Sequence, residues 1–162
     1  MEIIEDTGDD DLNILTSAIS ALGDLRDNQS FELLLSLIQN ENNHDWVRQT
    51  AIVAIGHLKN KQAVEVLIEV LRNDKLRSDA AAALGEIGDQ KAVKPLIEYL
   101  DEPNVDIRFT IVWALGSIGD ETAVPALRHI EQTDIGEDSD GDKISVAASR
   151  ALELIKQHSS HI

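Results

Sequence analysis

Ala83-Leu84-Gly85-Glu86-Ile87-Gly88-Asp89 decides the fold, because it returns along the chain. Ala114-Leu115-Gly116-Ser117-Ile118-Gly119-Asp120 repeats it almost letter for letter. Ala54-Ile55-Gly56-His57-Leu58-Lys59-Asn60 and Ala21-Leu22-Gly23-Asp24-Leu25-Arg26-Asp27 are looser copies, and Ala151-Leu152-Glu153-Leu154-Ile155 is a half-copy that stops before any turn. The anchor glycines Gly23, Gly56, Gly85 and Gly116 lie 33, 29 and 31 residues apart. A fixed period in that range is the mark of stacked helical repeats.

Around each heptad, apolar residues step by three or four, the helix period. The spacing predicts helices over Leu12–Leu25, Phe31–Ile38, Asp45–Leu58, Gln62–Leu71, Asp74–Ile87, Lys91–Leu100, Val105–Ile118, Thr122–Ile130 and Lys143 to about His158. The expected fold is all-α: a right-handed solenoid of about four and a half helix pairs over residues 11–159, after an acidic, frayed lead-in over 1–10 in which Asp10 or Asp11 caps the first helix. Gly85 and its equivalents fall where a missing side chain admits a neighbouring helix. Gly88 and Gly119 suit the left-handed helix end. Asp27, Asn60, Asp89 and Asp120 stand where the second helix needs an N-cap, and Pro95 and Pro125 fall near its start. Glu153 replaces the glycine where no further helix has to pack.

Composition narrows the function. The 162 residues carry 30 acidic and 14 basic side chains, a net charge of −16. Phosphate neutralisation needs Lys and Arg, so nucleic acid is a poor partner, and anionic membrane surfaces repel such a chain. With no cysteine there is no disulfide, thiolate metal site or Cys nucleophile. The N-terminus reads without a signal peptide and no apolar run is long enough to span a membrane, so a cytoplasmic protein is expected.

Val47-Arg48 through Asn60-Lys61-Gln62-Ala63-Val64, and Ile107-Arg108 through Asp120-Glu121-Thr122-Ala123-Val124-Pro125, resemble the short HEAT-like repeats of phycobilisome lyases. The resemblance covers about residues 12–157 and is specific for fold, an armadillo/HEAT-like superhelix. It implies one activity: attaching, detaching or chaperoning a phycobilin on a phycobiliprotein, in the manner of a lyase-type accessory subunit. HEAT-like di-iron hydroxylases use His-Glu dipeptides as ligands, and this chain has none.

Four features are candidates for function. Solenoids bind along extended concave faces, and counting from the caps projects onto that face Glu65, Glu69, Lys94, Glu98, Tyr99, Asp101 and His129, with Ser36, Arg72 and Gln132 in the same rows. This acidic groove suits a protein with a basic or mixed-charge surface. A second patch comprises Phe109 and Trp113 at i,i+4 with Trp46 near the equivalent row; either the insertion over 132–142 folds over Phe109 and Trp113, or the patch meets a partner. Asp138, Asp140 and Asp142 in that insertion imitate the first ligands of a calcium loop, but Lys143 and Ser149 stand where its glycine and glutamate belong. Arg48, Arg77 and Arg108 each lie eight residues before an anchor glycine, and read as a structural ladder to acids or carbonyls of the adjacent repeat, with a row of anion-binding arginines as the other reading.

The five histidines form no metal motif, and neither a phosphate loop nor a nucleophile elbow is present. The expectation is a non-catalytic interaction scaffold without a cofactor, with the bilin lyase-type subunit as the alternative.

Overall fold

Each heptad ends one helix and starts the next in the same way. Gly88 (φ 69°) and Gly119 (φ 75°) adopt the left-handed conformation, and their N–H groups donate to the Leu84 and Leu115 carbonyls. Lys59 (φ 52°) and Arg26 (φ 50°) hold the same conformation three residues after Gly56 and Gly23, although a Cβ makes it costly there. One residue further on, the side chains of Asn60, Asp89 and Asp120 accept from the N–H groups of Gln62, Lys91 and Thr122 at 3.0, 3.0 and 2.8 Å. Each of these caps opens a 3-10 turn (Lys61–Ala63, Gln90–Ala92, Glu121–Ala123) that runs straight into the second helix. The expected fourth cap, Asp27, lies outside the described residues.

The computed structural model describes residues 7–26 and 28–160. Within them are nine α-helices: α1 (Thr7–Asp24), α2 (Phe31–Gln39), α3 (Asp45–Leu58), α4 (Val64–Val70), α5 (Arg77–Ile87), α6 (Val93–Ile97), α7 (Val105–Ile118), α8 (Val124–Thr133) and α9 (Ile144–Ser159). The chain is an all-α solenoid. Helices α1, α3, α5, α7 and α9 stack side by side as one layer, and α2, α4, α6 and α8 form the other, each lying against the first-layer helix that follows it. Between the layers, Leu34, Ile52, Ile55, Leu67, Leu84, Leu96, Ile111, Leu115 and Leu127 are fully buried. Apart from Phe31, the buried core is aliphatic, as so few aromatic residues require.

Stacking of the first layer depends on one contact, repeated. A Cβ built on Gly23, Gly56, Gly85 or Gly116 would lie 2.6, 3.1, 2.8 or 2.8 Å from the Cα of Ala54, Ala83, Ala114 or Ala151. Each anchor glycine thus faces the alanine two residues before the next anchor. Glu153, which faces no such alanine, is exposed.

Several expectations need correction. Helix α1 starts at Thr7, so neither Asp10 nor Asp11 is its N-cap, and the rest of the expected lead-in, residues 1–6, lies outside the described residues. It ends at Asp24, and Leu25, expected on its apolar stripe, is 75% exposed beyond it. Helix α5 starts at Arg77 rather than Asp74, because residues 74–76 close a turn in which the Leu76 N–H donates to the Asn73 carbonyl. Two second helices, α4 and α6, are shorter than their apolar periodicity suggests. In α6 the α-form covers only Val93–Ile97, and Tyr99 and Leu100 continue in tighter bonds to Leu96 and Ile97.

Candidate partner-binding surfaces

The second layer exposes carboxylates on α2 and α4 and just past the end of α6. Glu32, Glu65, Glu69, Glu98 and Asp101 are all exposed, as are Lys94 and His129. Glu65 lies 3.5 Å from Lys91 of the next repeat. Glu69, Glu98 and Asp101 have no ion-pair partner among the described residues. Tyr99, expected beside them as a free aromatic, is half-buried, and its ring lies under the Arg77 guanidinium at 4.7 Å. Its face is already used by a cation–π contact.

The arginines read as a ladder do form one. Arg77 Nε donates to the Leu71 carbonyl at 2.7 Å, Nη1 to Glu102 and Nη2 to Asp74, both at 2.5 Å. Arg108 donates through Nη1 to the Glu102 carbonyl at 2.7 Å, and through Nε and Nη2 to Asp134 at 2.9 and 3.2 Å. Each guanidinium therefore ties the carbonyl end of the preceding second helix to an acid at the end of the following one. Burial pushes the Asp134 carboxyl up, but the Arg108 hydrogen bonds and the Gly136 N–H outweigh it and hold the group below its ordinary value. Glu102 and Asp134 were not among the sequence candidates; the signal that finds them is their distance along the chain, 25 residues after Arg77 and 26 after Arg108.

The insertion does not cover the aromatic pair, which corrects that expectation. It folds instead against the start of α7: the Ser139 N–H donates to Asp106 at 2.8 Å, and Asp134 holds Arg108. Trp113 stays 44% exposed over a recess of about 100 Å³ lined by Phe109, Ala147, Arg150, Ala151 and Leu154. Trp46, 45% exposed on α3, is separated from this patch by α5. Thr16, seven residues before Gly23 as Phe109 is before Gly116, is buried, its hydroxyl bonded to the Leu12 and Asn13 carbonyls.

Within the insertion, Asp138 accepts from the Asp140 and Asp142 N–H groups at 3.0 and 2.8 Å, and Gly141 (φ 84°) closes the turn. Asp138 thus serves the loop's own backbone. Among the described residues no three His, Asp or Glu side chains are grouped to hold a metal ion, so Asp138, Asp140 and Asp142 do not converge. No helix among them is long and apolar enough to cross a membrane.

Comparisons agree with this architecture. The sequence profile for HEAT repeats matches residues 2–77 and 72–138. Among solved structures, the chain is similar to one in the complex of CpcE and CpcF of phycocyanin lyase from Nostoc sp. PCC7120, with a TM-score of 0.74 and 26% identity. The match covers 91% of this chain and 61% of that one, so the present chain spans under two thirds of its neighbour's length. No curated protein matches the sequence. The profile match, the repeated Gly–Ala contact and the two helical layers lead to one conclusion: the chain belongs to the HEAT-repeat family.

Proposed function

We propose that this protein is a non-catalytic interaction module that binds a basic or mixed-charge segment of another protein along the concave, second-helix face. The observation that carries the reading is the row of exposed carboxylates on α4 and just past α6, of which Glu69, Glu98 and Asp101 have no ion-pair partner among the described residues. Unpaired like charges held at the repeat spacing form a linear field that steers and registers a complementary chain. Such a contact contributes more to association rate and specificity than to raw affinity, and it weakens as salt rises.

The test is the triple reversal Glu65→Lys, Glu69→Lys and Glu98→Lys. Proteins retained by the immobilised wild type and released by salt are expected to lose retention on the reversed face. Retention with an unchanged salt dependence would remove the groove from consideration.

A second reading is favoured by the similarity to a chain of the phycocyanin lyase complex. In it, the module is a lyase-type subunit that handles a bilin or a phycobiliprotein, alongside a second solenoid. Adding phycocyanobilin and recording the visible spectrum separates the two readings: a saturable absorbance change supports the second, and an unaltered spectrum leaves the first.

A further inference from the structure

Among the described residues, two of the three ladder arginines hold a carboxylate and the third does not. Arg77 takes Glu102, 25 residues on, and Arg108 takes Asp134, 26 residues on. From Arg48 the 25-residue step reaches Asn73, and the 26-residue step reaches Asp74, which Arg77 already holds. The three partner positions are equivalent in the turn, because each side chain also accepts from the N–H two residues later: Asn73 from Lys75, Glu102 from Asn104, Asp134 from Gly136. Only beside Arg48 does a neutral amide replace the acid. Asp45, the nearest acid on α3, is engaged by Lys75 at 2.6 Å.

Arg48 is nevertheless as buried as Arg77, at 9% exposure against 8%. Its Nε donates to the Ile38 carbonyl at 2.9 Å. Its two terminal nitrogens have no hydrogen-bond or ion-pair partner among the described residues. The side chain lines an open cleft of about 540 Å³ between α2 and α4, together with Gln39, Glu41, Glu69, Arg72 and Asn73. A largely buried guanidinium whose two terminal nitrogens face the open cleft matches the planar, two-oxygen geometry of a carboxylate.

We propose that this cleft is a binding site for a single carboxylate, received by Arg48 as Glu102 and Asp134 are received by Arg77 and Arg108. Arg72 supplies a second cation, and the amides of Gln39 and Asn73 supply further donors. Glu41 and Glu69 on the same walls repel a ligand with several negative charges, so the site takes one carboxylate carried on a neutral or cationic body. Two sources have this chemistry: a small free monoacid, and a Glu or Asp side chain between basic residues of a polypeptide. The inference stands independently of what the acidic row binds.

The test follows the Arg48 side-chain NMR resonances at constant ionic strength, with sodium acetate, acetyl-Lys-Glu-Lys-amide and inorganic phosphate as probes. Saturable shifts with acetate and peptide are expected in the wild type, with phosphate weaker. Asn73→Glu places an acid at the empty position; it is expected to abolish both responses while raising Tm by roughly 3 °C. This variant keeps Arg48, so a folding defect is not confused with a binding defect. Equal affinity for acetate and peptide identifies a monoacid site. A peptide preference of about tenfold or more, lost in Glu41→Gln/Glu69→Gln, identifies a polypeptide site. Either outcome upholds the carboxylate assignment. The absence of a saturable shift, an undiminished response in Asn73→Glu, or tighter binding of phosphate overturns it.

Discussion

Replacing Gly85 with alanine tests the physical basis of the solenoid. The new Cβ would lie 2.8 Å from the Ala114 Cα, 2.9 Å from its Cβ and 2.9 Å from the Trp113 ring. Ordinary contact between such carbons begins near 3.4 Å, so α5 and α7 must separate by roughly half an ångström, and backbone has no rotamer with which to yield. Overpacking of this kind costs about 1–3 kcal/mol. Alanine recovers about 1 kcal/mol of helix propensity. The expected net loss for Gly85→Ala is therefore about 0–2 kcal/mol, or at most roughly 8 °C in Tm for a domain of this size. Gly116→Ala, with contacts of 2.7 and 2.8 Å to Ala151, should lose as much or more. Gly56→Ala is the internal control: its Cβ would sit 3.1 and 3.2 Å from Ala83, so strain and propensity nearly cancel. Urea unfolding followed by circular dichroism, compared at equal m-value, measures all three. If Gly56→Ala is as damaging as Gly116→Ala, or if Gly85→Ala is stabilising, close helix approach is not why the glycine is there.

Three further outcomes follow from the same structure. Lys59→Gly is expected to stabilise by about 1 kcal/mol, because it puts glycine at a left-handed helix end already occupied by glycine in the next two repeats; urea melts check it. Asp79 stands where Ser17, Thr50 and Thr110 donate their hydroxyls to the carbonyl four residues back, and burial pushes its carboxyl above 3.8. Its native state thus binds a proton more readily than the unfolded chain, and stability from this group grows as pH falls from neutral through the folded value towards 3.8. Asp79→Thr should raise stability at pH 7 by roughly 1 kcal/mol or less and remove that slope. Asp134 has the opposite sign, held low by Arg108, so its contribution is present above 3.8 and lost as pH falls through the lower folded value; Asp134→Asn should cost roughly 2–3 kcal/mol at pH 7 in the same melts. Finally, Trp113→Phe and Trp46→Phe should each leave a tryptophan readily quenched by acrylamide, since both rings are nearly half exposed; strong protection of Trp113 would restore the covered arrangement.

The helices, their order and their turns were legible because each signal acts within a few residues. The caps at Asn60, Asp89 and Asp120 reach two residues ahead, and the left-handed glycines depend on their own φ angles. The lengths of α4 and α6 were less legible: the apolar period continues past Ile97, while the backbone from Tyr99 on tightens into bonds three residues back and leaves the α-form. Of the candidate groove residues, Glu65, Glu69, Lys94, Glu98, Asp101 and His129 are exposed on the second layer, because a solvent-facing row inherits the helix period. Tyr99 departs from that row because Arg77, 22 residues earlier in the sequence, draws it down.

By itself, then, the amino-acid sequence determined the repeat, the two helical layers and the place of every anchor glycine, all consequences of local propensity and a fixed period. Tertiary structure alone decided which side chains are already used. It paired Arg77 with Glu102 and Arg108 with Asp134 across 25 and 26 residues, and it laid the insertion on the start of α7 instead of on Trp113. It also left Arg48 buried beside Asn73 with no carboxylate bonded to it among the described residues. The physical reason is range: helix signals act over one turn, whereas an ion pair between repeats depends on how two helices are set against each other, and that is determined only when the glycine–alanine contacts close.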